Sequence, residues 1–334
     1  MRFQIQERVV TIGGGTGSFT MLSELKNVVA PGNLWSIVTM ADSGGSSRKL
    51  MDEFGRPLPL GDLRQALVAL SRRSRLWGDL FSYRFPDTNE ENGGDGPVGG
   101  HSLGNLILHA LQDLNGGDLI GAIEDAEELL HTAGRVLPVT LDQATLCAEL
   151  SDGSIVRSES AIDQAWQRTV LPIERVYLDP PVSAAARARK ALERADKVLI
   201  GPGDLYTSII PCLLVEDVAE AIRSCDGEIV YICNVMTKYG ETNGYLASDF
   251  VRQIHRYLGR RVDTVMVNTN GPTRYPQELL ERYGASGAEP VEPDIETLRT
   301  LVPRVIPGEF ASTKTLIRHD AERVLLALWP ELAQ

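Results

Sequence analysis

Cysteine is scarce in this chain. The four residues Cys147, Cys212, Cys225 and Cys233 show no CxxC spacing and no neighbouring histidine pair. That excludes a zinc ribbon or a disulfide framework and leaves them as core thiols. No apolar run approaches the ~18 residues needed to cross a bilayer. The first eight residues also lack the apolar segment of a signal peptide, so the expectation is a cytoplasmic protein without a membrane span. Positive charge is short too: 33 Lys and Arg stand against 45 Asp and Glu, a net charge of −12. Such a field repels a polynucleotide, so nucleic acid is not an expected partner. A phosphate-bearing ligand would have to be held by local N–H groups and a few basic side chains. Internal repeats, low-complexity tracts and Pro/Ser linkers are absent, and residues 1–334 read as a single α/β domain.

The chain is built around one stretch. Val9 to Ile12 form a strand pattern that runs straight into Gly13, Gly14, Gly15, Thr16 and Gly17, and Phe19, Leu22, Leu25 and Val28 then recur at helical spacing. Adjacent glycines remove every Cβ from the turn, so backbone N–H groups at a helix start can approach an anion closely. This predicts a phosphate cradle. The fit to the dinucleotide fingerprint is partial, since Ser18 stands where the third glycine belongs.

A second strand, Ser36 to Met40, ends in Asp42, Ser43, Gly44, Gly45, Ser46, Ser47 and Arg48, a second anion loop with Asp42 at the strand's carboxyl end. In open parallel sheets that is the end where ligands bind. Asp42 suits a ribose hydroxyl or a hydrated Mg²⁺ beside phosphates. Leu60 to Arg64 open a helix that Asp62 is placed to cap, and next to Gly61 and Arg64 the same carboxylate also suits a substrate or metal. After a polar loop, Gly100-His101-Ser102-Leu103-Gly104 matches the G-x-S-x-G elbow of hydrolases. An elbow must follow a buried strand, however, and no strand precedes this one. The better reading is a helix N-terminus capped by Ser102 or His101, with His101 and Asn105 within reach of a ligand. Residues 134–181 switch to period two and read as a β-rich insertion, Ser151 to Gly153 making a hairpin turn.

The glycine turn then repeats. Lys197 to Ile200 run into Gly201, Pro202, Gly203, Asp204, Leu205, Tyr206, Thr207 and Ser208, where the last three side chains offer donors or a stacking face. Two further strands end at Asn234 and Asn268. Strands separated by helices run the same way, so these tips should line one rim of a mainly parallel sheet. The proline-bearing tail after Pro290 reads as irregular, closing in a helix from Asp320 to Trp329.

Six ordered motifs carry a resemblance: Gly13 to Gly17, Asp42 to Ser47, Gly61 to Arg64, Gly100 to Leu106, Gly201 to Ser208 and Cys233 to Thr237. Together they resemble the gluconeogenesis factor (YvcK-like) family, itself similar to 2-phospho-L-lactate transferase (CofD-like), which joins phospholactate to a deazaflavin. The resemblance implies a Rossmann-like three-layer α/β fold and a cytoplasmic bacterial protein that serves cell shape and wall synthesis during gluconeogenic growth. It also implies binding of a uridine-diphosphate sugar such as UDP-N-acetylglucosamine, or another nucleotide diphosphate. Carried over by position, phosphate and metal contacts fall on Gly13 to Gly17, Asp42 and Asp62. Relatives commonly pair two aspartates after the second strand, and Ser43 here thins a two-carboxylate Mg²⁺ site. The rival implication is a Mg²⁺-dependent transferase with Asp42 or Asp62 catalytic and Arg48 or Arg64 steadying a diphosphate. A homo-oligomer is compatible with all of this.

Overall fold

The computed structural model describes residues 4–41, 59–72, 75–86, 98–165, 171–314 and 316–333. Seven strands build the central sheet: β1 (Val9–Gly13), β2 (Leu34–Val38), β3 (Arg135–Pro138), β7 (Lys197–Ile200), β8 (Glu228–Ile232), β9 (Thr264–Asn268) and β10 (Arg304–Gly308). The order is β10-β9-β8-β7-β1-β2-β3 and every pair is parallel. The residues of β1, β7 and β9 are all buried, the continuous apolar pattern of strands covered on both faces. One layer packs α1 (Gly15–Val28), Gly61–Leu70, Leu103–Leu114 and Leu119–Leu130 together. A second layer gathers Ala186–Glu193, Val218–Ser224, Ala247–Leu258 and Ile295–Leu301. The result is the expected Rossmann-like α/β sandwich.

A separate antiparallel sheet has the order β5-β4-β6, from β4 (Thr145–Leu150), β5 (Ile155–Arg157) and β6 (Ile173–Asp179). The hairpin turn lies where its residues predict, with the Asp152 carboxylate accepting from the Ser154 N–H at 2.9 Å. Arg135–Pro138 corrects the sequence reading. This strand pairs with β2 in the central sheet and is no part of the β-rich insertion. The tail is a second correction, because β10 is the opposite edge of the same sheet and pairs in register with β9. Pro307 obscured it. Proline cannot donate to a ladder, but an edge strand tolerates it. Beyond β10 a short hairpin, β11 (Ala311–Ser312) with β12 (Arg318–His319), folds back toward β8.

The chain leaves β1 toward β2 and β3 on one side, and β7 leads to β8, β9 and β10 on the other. The adjacent carboxyl ends of β1 and β7 therefore form the topological switch point, where loops diverge and a crevice opens. Both glycine turns are located there. Among the described residues no helix is long and apolar enough to cross a membrane, and Cys147, Cys212, Cys225 and Cys233 are free and buried.

Candidate functional site

The two glycine turns touch. A Cβ on Gly17 would stand 2.6 Å from the Pro202 carbonyl oxygen, and one on Gly203 would stand 3.3 Å from the Gly14 carbonyl oxygen. Gly17, and not the position of Ser18, therefore supplies the close packing that the third fingerprint glycine serves elsewhere. Gly15 differs: its φ of +67° is left-handed, and a Cβ there would meet nothing closer than the Ser208 hydroxyl at 3.8 Å. The Thr16 and Gly17 N–H groups lie in the first turn of α1, where helix geometry provides no acceptor, and the positive end of the helix dipole points outward with them.

Asp62 behaves differently from its predicted role. It does not cap its own helix, whose first flanking residue is Leu60 without a side-chain cap. Instead its Oδ1 accepts from the Gly15 N–H at 2.9 Å, so the carboxylate caps α1 across the layer. It also blocks any side chain at Gly14, whose Cβ would run into Asp62 Oδ2. One carboxylate at a glycine turn fits a Mg²⁺ that takes its other ligands from phosphates and water. Among the described residues no group of three or more His, Cys, Asp or Glu is arranged to hold a metal.

From the junction of the turns a cleft of about 390 Å³ opens over β8. Thr16, Gly17 and Thr20 form one wall, Pro202, Gly203 and Asp204 a second, Asn234 to Tyr239 a third, and Arg318 and His319 close it from the tail. Asn234 braces this arrangement, its amide donating to the Gly203 carbonyl at 2.8 Å. Lys238 reaches the second turn, but it is already neutralised. Its Nζ contacts Asp204 at 2.7 Å, Glu241 at 2.8 Å and Asp163, which reaches over from the helix Glu159–Gln164. Burial lowers the Lys238 pKa, but Glu241, Asp204 and Asp163 outweigh it and hold the ammonium above the ordinary lysine range. Burial raises Glu241 in turn, against the pull of the same ammonium. Arg318 is exposed and makes no ion pair or side-chain hydrogen bond among the described residues.

Several predicted site residues face elsewhere. Tyr206 is fully buried, its hydroxyl 2.8 Å from that of Tyr245. Thr207 is buried as well and donates to Glu241. Both belong to a π-helical turn, Leu205–Ile209, that directs them into the core. Asn268 is also structural. It accepts from the Phe310 and Ala311 N–H groups at 3.0 and 3.1 Å and donates to the Tyr275 hydroxyl, so it anchors the tail and does not line this cleft. Arg64 donates to Asn105 at 3.1 Å and to the Phe81 carbonyl. Ser102 caps Leu103–Leu114 through the Asn105 N–H, as predicted, and His101 is buried beside it. None of these residues lines the cleft. Asp42, Ser43, Gly44, Gly45, Ser46 and Arg48 lie outside the described residues.

Sequence reasoning missed Asp163, Lys238, Arg318 and His319 as cleft residues. Lys238 follows a strand tip, which was a usable signal. Arg318 and His319 carried none, because nothing local shows that the tail returns to β8. His319 donates from Nε2 to the Cys233 carbonyl at 2.9 Å, and burial lowers its pKa to about 4. With a folded value below the unfolded ~6.5, stability is full above pH 6.5 and falls as the pH drops toward 4. The expected loss is about 3 kcal/mol. Chemical denaturation across that window should show the slope in wild type and a much flatter one in His319→Gln; equal slopes would refute the assignment.

The model of the 2-phospho-L-lactate transferase CofD family matches residues 9–311. A gluconeogenesis factor of Bacillus subtilis is 39% identical over 320 residues, covering 95% of both chains. One of Listeria innocua is 39% identical, covering 99% of this chain and 98% of its own. A crystal structure of a Bacillus halodurans protein superposes with a TM-score of 0.87 at 37% identity, covering 97% of this chain and all of that one. A second crystal structure from that organism, described as a member of the UPF0052 family, gives 0.86 at 38%, covering 96% and 97%.

Proposed function

Because the chain belongs to the gluconeogenesis factor family and matches the CofD family model over most of its length, we propose that its cleft holds the diphosphate of a nucleotide sugar of the UDP-N-acetylglucosamine type. The contact of the two glycine turns at the switch point carries this reading. Gly17 and Gly203 meet backbone to backbone, and Thr16 and Gly17, whose N–H groups belong to the first turn of α1, line the cleft beside them. Phosphate oxygens accept from Thr16 and Gly17 N–H, and Arg318 supplies the cation that Lys238 does not. In this reading the protein is a regulatory binding protein of the cytoplasm, serving wall synthesis and cell shape during gluconeogenic growth.

Asp62 supports a second reading, a Mg²⁺-dependent transfer of the 2-phospho-L-lactate transferase type. There the Asp62 carboxylate at the glycine turn would hold the ion, which would supply charge neutralisation for the phosphate that leaves. A thermal-shift and calorimetric panel of UDP-sugars, GDP and a deazaflavin, with and without Mg²⁺, separates the two. A ligand at a hundred times its dissociation constant raises stability by about 2.7 kcal/mol, which UDP-N-acetylglucosamine should do without turnover. Mg²⁺-dependent conversion of a deazaflavin, with an activated phospholactyl donor added, would establish the second reading instead. Arg318→Ala is expected to weaken UDP-sugar affinity roughly tenfold, the size of one charge-assisted hydrogen bond to phosphate, with stability changed by less than about 0.5 kcal/mol. Unchanged calorimetric affinity would remove Arg318 from the site.

A further inference from the structure

A second cavity of about 390 Å³ lies at the other end of the sheet, beside the amino-terminal residues of β1, β2 and β3. Two helices form its sides, each offering positions i, i+3, i+4 and i+7, which share one helical face. Leu119–Leu130 contributes Ile120, Ile123, Glu124 and Glu127. Arg187, Lys190, Ala191 and Arg194 come from Ala186–Glu193 and the residue after it. Trp35, Val136 and Leu137 make the floor. An ion pair between Arg187 and Glu124 bridges the two helices over this space.

The charge arrangement is unusual for a chain of net −12. Three of the five cations around the cavity carry their own carboxylates: Arg8 with Asp196 at 2.7 Å, Arg135 with Glu127 at 2.6 Å, and Arg187 with Glu124. Lys190 and Arg194 are exposed and make no ion pair or side-chain hydrogen bond among the described residues. Apolar space between helices forfeits dispersion contacts, and like charges gathered around it repel. An occupant with an apolar body and an anionic end relieves both. A peptide strand does not suit the place, although β3 is an edge. The Val136 N–H is taken by the Glu127 carboxylate at 2.7 Å, and Pro138 has no N–H to offer.

We propose that this cavity is a second small-molecule site that takes a compact amphipathic organic anion, its body on Trp35, Ile120 and Ile123 and its charged group on Lys190 and Arg194. The volume is in the range of small-ligand pockets. The proposal is independent of what the glycine cleft binds. Fluorescence titration of the full chain with 8-anilinonaphthalene-1-sulfonate tests it. Saturable one-to-one binding is expected, weakened roughly tenfold or more in Lys190→Glu/Arg194→Glu. Circular dichroism and binding of UDP-N-acetylglucosamine should stay unchanged in that variant. Ile120→Trp, which fills the cavity and keeps every cation, should abolish dye binding. Decanoate should displace the dye and inorganic phosphate should not. Absence of saturable binding, wild-type affinity in the charge-reversed variant, or displacement by phosphate alone would each overturn the proposal.

Discussion

Gly17→Val is expected to abolish nucleotide-sugar binding and to cost about 3 kcal/mol of stability, the upper part of the range for overpacking. The added Cβ would stand 2.6 Å from the Pro202 carbonyl oxygen and 2.8 Å from its carbon, and then meet the Gly203 nitrogen at 3.1 Å. All three atoms are backbone, so no side chain can swing away. The turns after β1 and β7 must separate, and the crevice at the switch point loses its geometry. Gly15→Ala provides the contrast. Space exists there, and the cost is the left-handed φ of +67°, about 1 kcal/mol. Calorimetry with the nucleotide sugar and denaturant unfolding read both effects. Retained affinity in Gly17→Val would mean that the two turns do not jointly hold the ligand.

Lys238→Met is expected to destabilise the fold by about 3 kcal/mol, because it strands carboxylates around a vacated charge. Asp163 and Asp204 keep nearly half of their side-chain surface in solvent, which screens their share. Glu241 does not: its side chain is 1% exposed and its Oε2 has no hydrogen-bond partner. The deficit should shrink as the pH falls, since protonating the carboxylates removes the uncompensated charge. Glu241→Gln on the Lys238→Met background should recover part of it. Urea unfolding at pH 8 and pH 5 checks both statements, and a loss below about 1 kcal/mol at pH 8 would show that the cluster is merely a solvated ion pair. The same cluster joins three distant pieces of chain: the helix of Asp163, the turn of Asp204 and the loop after β8.

The legible parts of this protein were local. Val9 to Gly17 and Lys197 to Gly203 announced two strand-to-glycine junctions, and Ser102 announced the helix cap it makes. The seventh strand was hidden by Pro307. Arg135–Pro138 carries no local mark of its sheet, because period two reads the same in a central-sheet edge and in a separate antiparallel sheet. Tyr206, Thr207 and Asn268 have suitable chemistry at suitable places along the chain, yet their side chains turn into the core. Asp62 sits at the loop–helix junction its sequence marks, yet it caps α1 and not its own helix.

By itself the sequence determined that the fold is α/β and that glycine turns end two of its strands, since periodicity and missing Cβ atoms are properties of the chain alone. Tertiary structure decided which groups meet. Strand order put Gly17 against Pro202, the return of the tail put Arg318 in the cleft, and contacts 34 and 75 residues apart in sequence neutralised Lys238 through Asp204 and Asp163. Orientation and charge pairing are set by neighbours in space, and no local pattern encodes those.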